Sequence, residues 1–150
     1  MKSIKKLLFV MAALAAVFGF VACSDDDDDG PATVAVYELS VTGTGYSETL
    51  TLFDNGTFEN VRTVNGKNYT VATGTYDGDV KKDTSGDNKV TFTVKKMAIA
   101  DTSTGEPKLV SIEDYVENLP GVSADYFKDM EAIISGDTLT CDLGIFTLKE

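Results

Sequence analysis

The sequence predicts a mainly β fold: a small antiparallel up-and-down barrel, or a strongly curved sheet, of about seven or eight strands, with a two-helix insert before a C-terminal hairpin. Three observations predict it. From Val34 onward, short runs of alternating apolar and polar residues are separated by turn residues. Asn-Gly pairs stand between such runs at Asn55-Gly56 and Asn65-Gly66. After Ser111 the apolar spacing lengthens from two to three or four residues, then shortens again near the C-terminus. A β-sandwich is the structural alternative.

The elements follow in order. VAVYELSV (Val34 to Val41) opens the domain. YSETLTLF (Tyr46 to Phe53) places Tyr46, Glu48, Leu50 and Leu52 on one face. Asp54-Asn55-Gly56 then reverses the chain, because Asn and Gly tolerate the positive φ angles of tight turns. TFENVRTV, the Asn65-Gly66 turn and NYTVATGTY complete a three-stranded meander from Tyr46 to Tyr76. Asp77 to Lys89 is a polar connector. Its aspartates lack calcium-loop spacing, and Lys81, Lys82 and Lys89 interrupt them. Val90 to Ile99 is a strand with Val90, Phe92 and Val94 on one side, and Lys108 to Val110 a short one. Ser111 is an N-cap candidate with Asp114 three residues on, so Ile112 to Asn118 reads as a short helix. Ser123 caps a second helix, Ala124 to Ile134, with Tyr126, Phe127, Met130 and Ile133 or Ile134 as its apolar stripe, ended by Gly136. Asp137 to Lys149 is the closing hairpin, turning near Asp142 to Gly144, with Leu139, Cys141, Phe146 and Leu148 inward.

The chain of 150 residues has no histidine and no tryptophan. Without histidine, Ser-His and Cys-His activation are excluded, as is the commonest metal ligand. No spacing nominates a carboxylate pair, a metal site or a cofactor site, so a non-catalytic protein is expected, with no metal and no cofactor. Cys141 alternates with Leu139 and reads as a small core thiol.

The first residues read as targeting rather than fold. Lys2, Lys5 and Lys6 precede Leu7 to Ala22, a nearly unbroken apolar run of 16 residues. That is short of the about 20 a spanning helix needs. Ala22 precedes Cys23, and Phe20-Val21-Ala22-Cys23 resembles a bacterial lipobox, in which a signal peptidase cuts before an acylated cysteine. The resemblance implies lipidation at Cys23. Removing Lys2, Lys5 and Lys6 with the signal leaves ten basic side chains against 24 acidic ones, a net charge of about −14. Such a surface opposes nucleic acid binding. Asp25 to Asp29 repel one another and stay solvated, so Ser24 to Thr33 is a tether reaching about 33–36 Å at full extension. Ser24, Asp25, Asp26, Asp27, Asp28 and Asp29 are similar to the acidic run that marks some Gram-negative lipoproteins for export to the cell surface. The expected division is therefore 1–22 signal peptide, 23–33 lipidated cysteine and acidic tether, and 34–150 β domain. The expected location is the outer membrane, lipid-anchored, facing outward.

TLTLFDNGTFE (Thr49 to Glu59), GTYDGD (Gly74 to Asp79), VTFTV (Val90 to Val94), ISGDTLT (Ile134 to Thr140) and FTLKE (Phe146 to Glu150) together resemble small lipocalin-like domains of bacterial lipoproteins. The similarity spans Tyr46 to Glu150. It departs from the lipocalin pattern in lacking the tryptophan of the first strand and in carrying a larger helical insert. Asp137-Thr138-Leu139 also resembles an O-glycosylation sequence of some Gram-negative envelope proteins, though it equally opens a strand.

Two functions are expected. The first is a lipid-anchored envelope protein whose lipocalin-like domain binds a small apolar ligand, a glycan or a protein. Its candidate barrel lining is Leu50, Leu52, Phe58, Tyr76, Phe92, Val94 and Phe146, which are also the predicted core. The second is an interaction protein with a solid core (adhesin, assembly subunit or protease inhibitor) that works through an exposed apolar patch with Tyr115, Tyr126 or Phe127.

Overall fold

The computed structural model describes residues 30–41, 43–80, 86–101, 103, 107–142 and 144–149. Cys23, Ser24 and Asp25 to Asp29, together with the signal boundary, lie outside the described residues, whereas Thr33, the expected end of the tether, already belongs to the first strand.

Nine strands are present among the described residues: β1 Thr33–Val41, β2 Tyr46–Phe53, β3 Thr57–Val64, β4 Lys67–Asp77, β5 Asn88–Ala100, β6 Pro107–Ser111, β7 Met130–Ser135, β8 Thr138–Cys141 and β9 Gly144–Leu148. All pairings are antiparallel, and β1 meets both β2 and β9. The circuit closes because β5 pairs β4 along one edge and β7 along the other. Eight strands form the barrel. The ninth, β6, extends the second edge of β5: Asn88 to Phe92 pair with β7, and Lys96 to Ala100 with β6.

The predicted turn chemistry accounts for the meander. Asn65 and Gly66 both hold positive φ (50° and 78°) between β3 and β4. At the preceding turn only Gly56 does so (76°), while Asn55 Oδ1 accepts from Thr57 N at 3.0 Å. Register shifts occur at Thr33/Ala35, Asn60/Val61 and Thr73/Gly74, the local bends that a closing sheet requires.

The predicted first helix is α1, Ile112–Glu117, with the Ser111 hydroxyl accepting from Asp114 N at 3.1 Å. The second helix is not formed as expected. Ala124–Phe127 is one 3₁₀ turn, and Met130–Ser135 is strand β7. Asp129, at φ 49°, reverses the chain between them. Ala132 and Ile134 then alternate inward opposite Cys141 and Leu139, with β-branched Ile133 outward. The expected closing hairpin is present as β8 and β9, and β7 joins it to make a three-stranded C-terminal meander. Thr138 of the Asp137-Thr138-Leu139 sequence is half-buried at the start of β8.

One core fills the interior. Tyr37, Leu52, Val90, Ile134, Leu139 and Phe146 are its largest fully enclosed side chains. Packing is close enough at Gly74 that a Cβ there would stand 2.1 Å from Thr93 O and 2.7 Å from Phe58 Cε1. From outside the sheet, α1 and the 3₁₀ turn contribute Ile112, Tyr115 and Phe127 to the same core, with Tyr115 and Phe127 ring centroids 5.8 Å apart, edge to face. They form a lid. Among the described residues no helix is long and apolar enough to cross a membrane.

Candidate functional site

Strand periodicity delivers three polar side chains into the apolar interior. Glu48 shares the inward face of β2 with Leu50 and Leu52. Asn60 and Arg62 share that of β3 with Phe58. Cross-strand register sets Leu52 opposite Phe58, Leu50 opposite Asn60, and Glu48 opposite Arg62. All three polar residues are buried, with Glu48 and Arg62 each only 3% exposed.

Such burial is tolerated only where charges are paired and hydrogen-bonded. Arg62 Nε donates to Glu48 Oε1 at 2.9 Å, and Arg62 Nη2 lies 2.7 Å from the same oxygen. The Tyr46 hydroxyl also donates to Glu48 Oε1, and Asn60 Nδ2 donates to Oε2 at 3.3 Å. The guanidinium stands 5.6 Å from the Tyr46 ring centroid, a favourable cation–π position. Burial, then the hydrogen bond to Glu48 and its negative charge, push the Tyr46 phenol up to about 12. Burial also raises Tyr115, and the positive charge of Arg62 partly opposes it. The lid tyrosine is therefore within electrostatic reach of the pair.

Two buried atoms, Asn60 Oδ1 in this cluster and Tyr115 Oη on α1, have no hydrogen-bond partner among the described residues. The orientation of the Asn60 amide follows from its neighbour: an ionised carboxylate only accepts, so nitrogen faces Glu48 and oxygen faces away. Both atoms are enclosed, and the ion pair in the same interior neutralises itself. The arrangement has no nucleophile with an adjacent base. Among the described residues, no group of three or more potential metal ligands gathers anywhere.

The predicted lining residues are brought together. Leu50, Leu52, Phe58, Phe92, Val94 and Phe146 belong to the core cluster, and Tyr76 packs against it. Phe58 and Phe92 meet edge to face at 5.3 Å, and the Tyr76 hydroxyl donates to Phe53 O at 2.6 Å. Leu52 and Phe146 expose at most 1% and are packed within the core. Glu48, Asn60 and Arg62 were not singled out by sequence reasoning. Of the predicted exposed aromatic patch, Tyr115 and Phe127 are instead buried, because they pack on each other and on the core; Tyr126 remains 54% exposed.

The barrel exterior has a second feature. Ile133, Thr140 and Ile145 pair in one row across β7, β8 and β9, and Ile133 and Ile145 are 48% and 61% exposed. Beside that row, Tyr37↔Leu148 and Glu38↔Thr147 are the register pairs joining β1 to β9. Glu38, Leu39 and Ser40 face Ile145, Thr147, Leu148 and Lys149 across an open cleft of about 380 Å³. Comparison of the chain with family models, curated proteins and solved structures finds no match.

Proposed function

We propose that this protein is a non-catalytic, lipid-anchored envelope protein whose closed barrel binds a ligand at its lidded end. The observation that carries the binding role is the closed eight-stranded barrel, whose interior holds two buried polar atoms, Asn60 Oδ1 and Tyr115 Oη, with no hydrogen-bond partner among the described residues. Natural cores leave few such atoms without partners, and each one asks for a reason. Leu50, Phe58, Phe92 and Val94, which keep 5–7% of their surface, are the lining residues nearest to such a role; Leu52 and Phe146 are packing. The anchor is supported by Cys23 after its apolar run, and outward display at the outer membrane by Ser24 to Asp29. The membrane is then a partner through the lipid alone.

Two experiments test this reading. Globomycin, which blocks lipoprotein signal cleavage, should leave a heavier precursor, and Cys23→Ser should accumulate at precursor mass without acyl groups. An unchanged mobility in both cases would refute the anchor. Protease treatment of intact cells should digest the domain if it faces outward; full protection would place it inside.

A second reading, an interaction protein with a solid core, is favoured by the exposed Ile133–Thr140–Ile145 row and the adjoining cleft. Ile145→Lys should abolish partner crosslinking in envelopes if that face docks a protein, and leave it unchanged otherwise.

A further inference from the structure

We infer that residues 112–128 swing open and shut over one end of the barrel as a single hinged lid, while the eight strands stay closed. This goes beyond the binding reading, because the motion belongs to the chain itself. The first support is where the segment is attached. β6 ends on β5 at Ser111, opposite Lys96, and β7 joins the same edge at Met130, opposite Phe92. The two attachments are four residues apart on one strand, about 13 Å at ordinary strand rise. The lid can therefore swing without breaking a barrel pair. Asp129, a non-glycine residue at φ 49°, stands at one attachment.

The second support is how the segment is held. Its hydrogen bonds run within it: Asp114 N and Asp125 N donate to the Ser111 and Ser123 hydroxyls, Leu119 N to Val116 O, Val122 N to Leu119 O, and Lys128 N to Asp125 O. The edge-to-face contact of Tyr115 with Phe127 joins α1 to the 3₁₀ turn as one body. Among the described residues, that body grips the barrel by apolar packing, through Ile112, Tyr115 and Phe127. A hydrogen bond to β5 comes at the hinge, from Asp129 N to Thr93 Oγ1 at 3.3 Å. The third support is a group that favours the open state. The Tyr115 hydroxyl is enclosed without a partner, and opening returns it to water. Closure is thus apolar burial opposed by one stranded hydroxyl, the kind of balance from which local opening is drawn.

Hydrogen–deuterium exchange of the intact chain in detergent micelles, read by NMR in low urea, tests the inference. The hydrogen-bonded amides of Leu119, Val122, Tyr126 and Lys128 should share one protection factor, about tenfold or more below that of β5 and β7. Their urea dependence should be shallow and that of the strands steep, because opening the lid exposes far less surface than unfolding the barrel. Tyr115→Phe keeps the ring and removes the stranded hydroxyl. It should slow all four amides about tenfold, the effect of one unsatisfied buried group, including Tyr126 and Lys128 on the other element. Phe127→Ala should speed all four, including Leu119 at the end of α1. The inference is overturned if these amides share the protection and urea slope of the strands, if each variant moves only its own element, or if Tyr115→Phe fails to slow exchange.

Discussion

Replacing Arg62 by methionine should be among the most damaging single changes to this barrel. The substitution keeps most of the aliphatic volume but leaves Glu48 charged, 3% exposed, and deprived of both its 2.9 Å bond from Nε and its 2.7 Å contact with Nη2. Tyr46 and Asn60 still donate to it, but neither carries a charge. Breaking a buried pair in this way costs about 3–5 kcal/mol, a large part of the about 5–15 kcal/mol that holds a typical domain together. For a domain of roughly this size, that corresponds to a fall in Tm of about 10–25 °C. Urea unfolding followed by circular dichroism measures the loss. The double variant Glu48→Met with Arg62→Met should recover most of it, because an apolar pair of similar volume removes the stranded charge. A single-variant loss below about 1 kcal/mol, the worth of a solvent-exposed pair, or a double variant as unstable as the single one, would refute the reasoning.

Other consequences are equally specific. Gly74→Ala forces a Cβ to within 2.1 Å of Thr93 O, so it should lower the urea midpoint by the equivalent of about 1–3 kcal/mol or more. Tyr46, raised from 10.0 to about 12, favours the fold in its neutral form. That contribution is complete below pH 10 and is lost as pH rises toward 12. Ultraviolet titration of wild type against Tyr46→Phe should therefore show one phenol missing from the highest-pH step. Ile145→Lys, on a residue that is 61% exposed, should change stability by less than about 0.5 kcal/mol in the same urea assay.

Much of the fold was legible because turn chemistry and period two are local. Asn65-Gly66 and the Asp54-Asn55-Gly56 loop fixed the meander, and the alternation of Val90, Phe92 and Val94 fixed β5. What failed was a choice between two periods in one short stretch. Tyr126, Phe127, Met130 and Ile133 or Ile134 fit a helical stripe, yet Ala132 and Ile134 fit a strand equally well. The available edge of β5 decided it: Ala132 pairs with Val90 and Glu131 with Thr91. That edge is a tertiary fact, as is the β1–β9 pairing that closes the barrel.

The buried pair was partly recoverable. Positions equidistant from the Asn55 turn pair across β2 and β3, so Glu48 must face Arg62 once Leu52 faces Phe58. Glu48 was placed on the apolar face of β2 from the sequence, which already asked for an opposite charge. Asn60 was recoverable in the same way, since it lies between Phe58 and Arg62 on one face of β3 and opposite Leu50. Tyr115 was not, because a six-residue helix with two buried residues has too little pattern to show which face it hides.

The most direct test of the account is native mass spectrometry of the protein extracted from its own membranes in mild detergent. The account predicts a chain that has lost residues 1–22 and carries acyl mass on Cys23. A chain of full-length mass without acyl groups would contradict it.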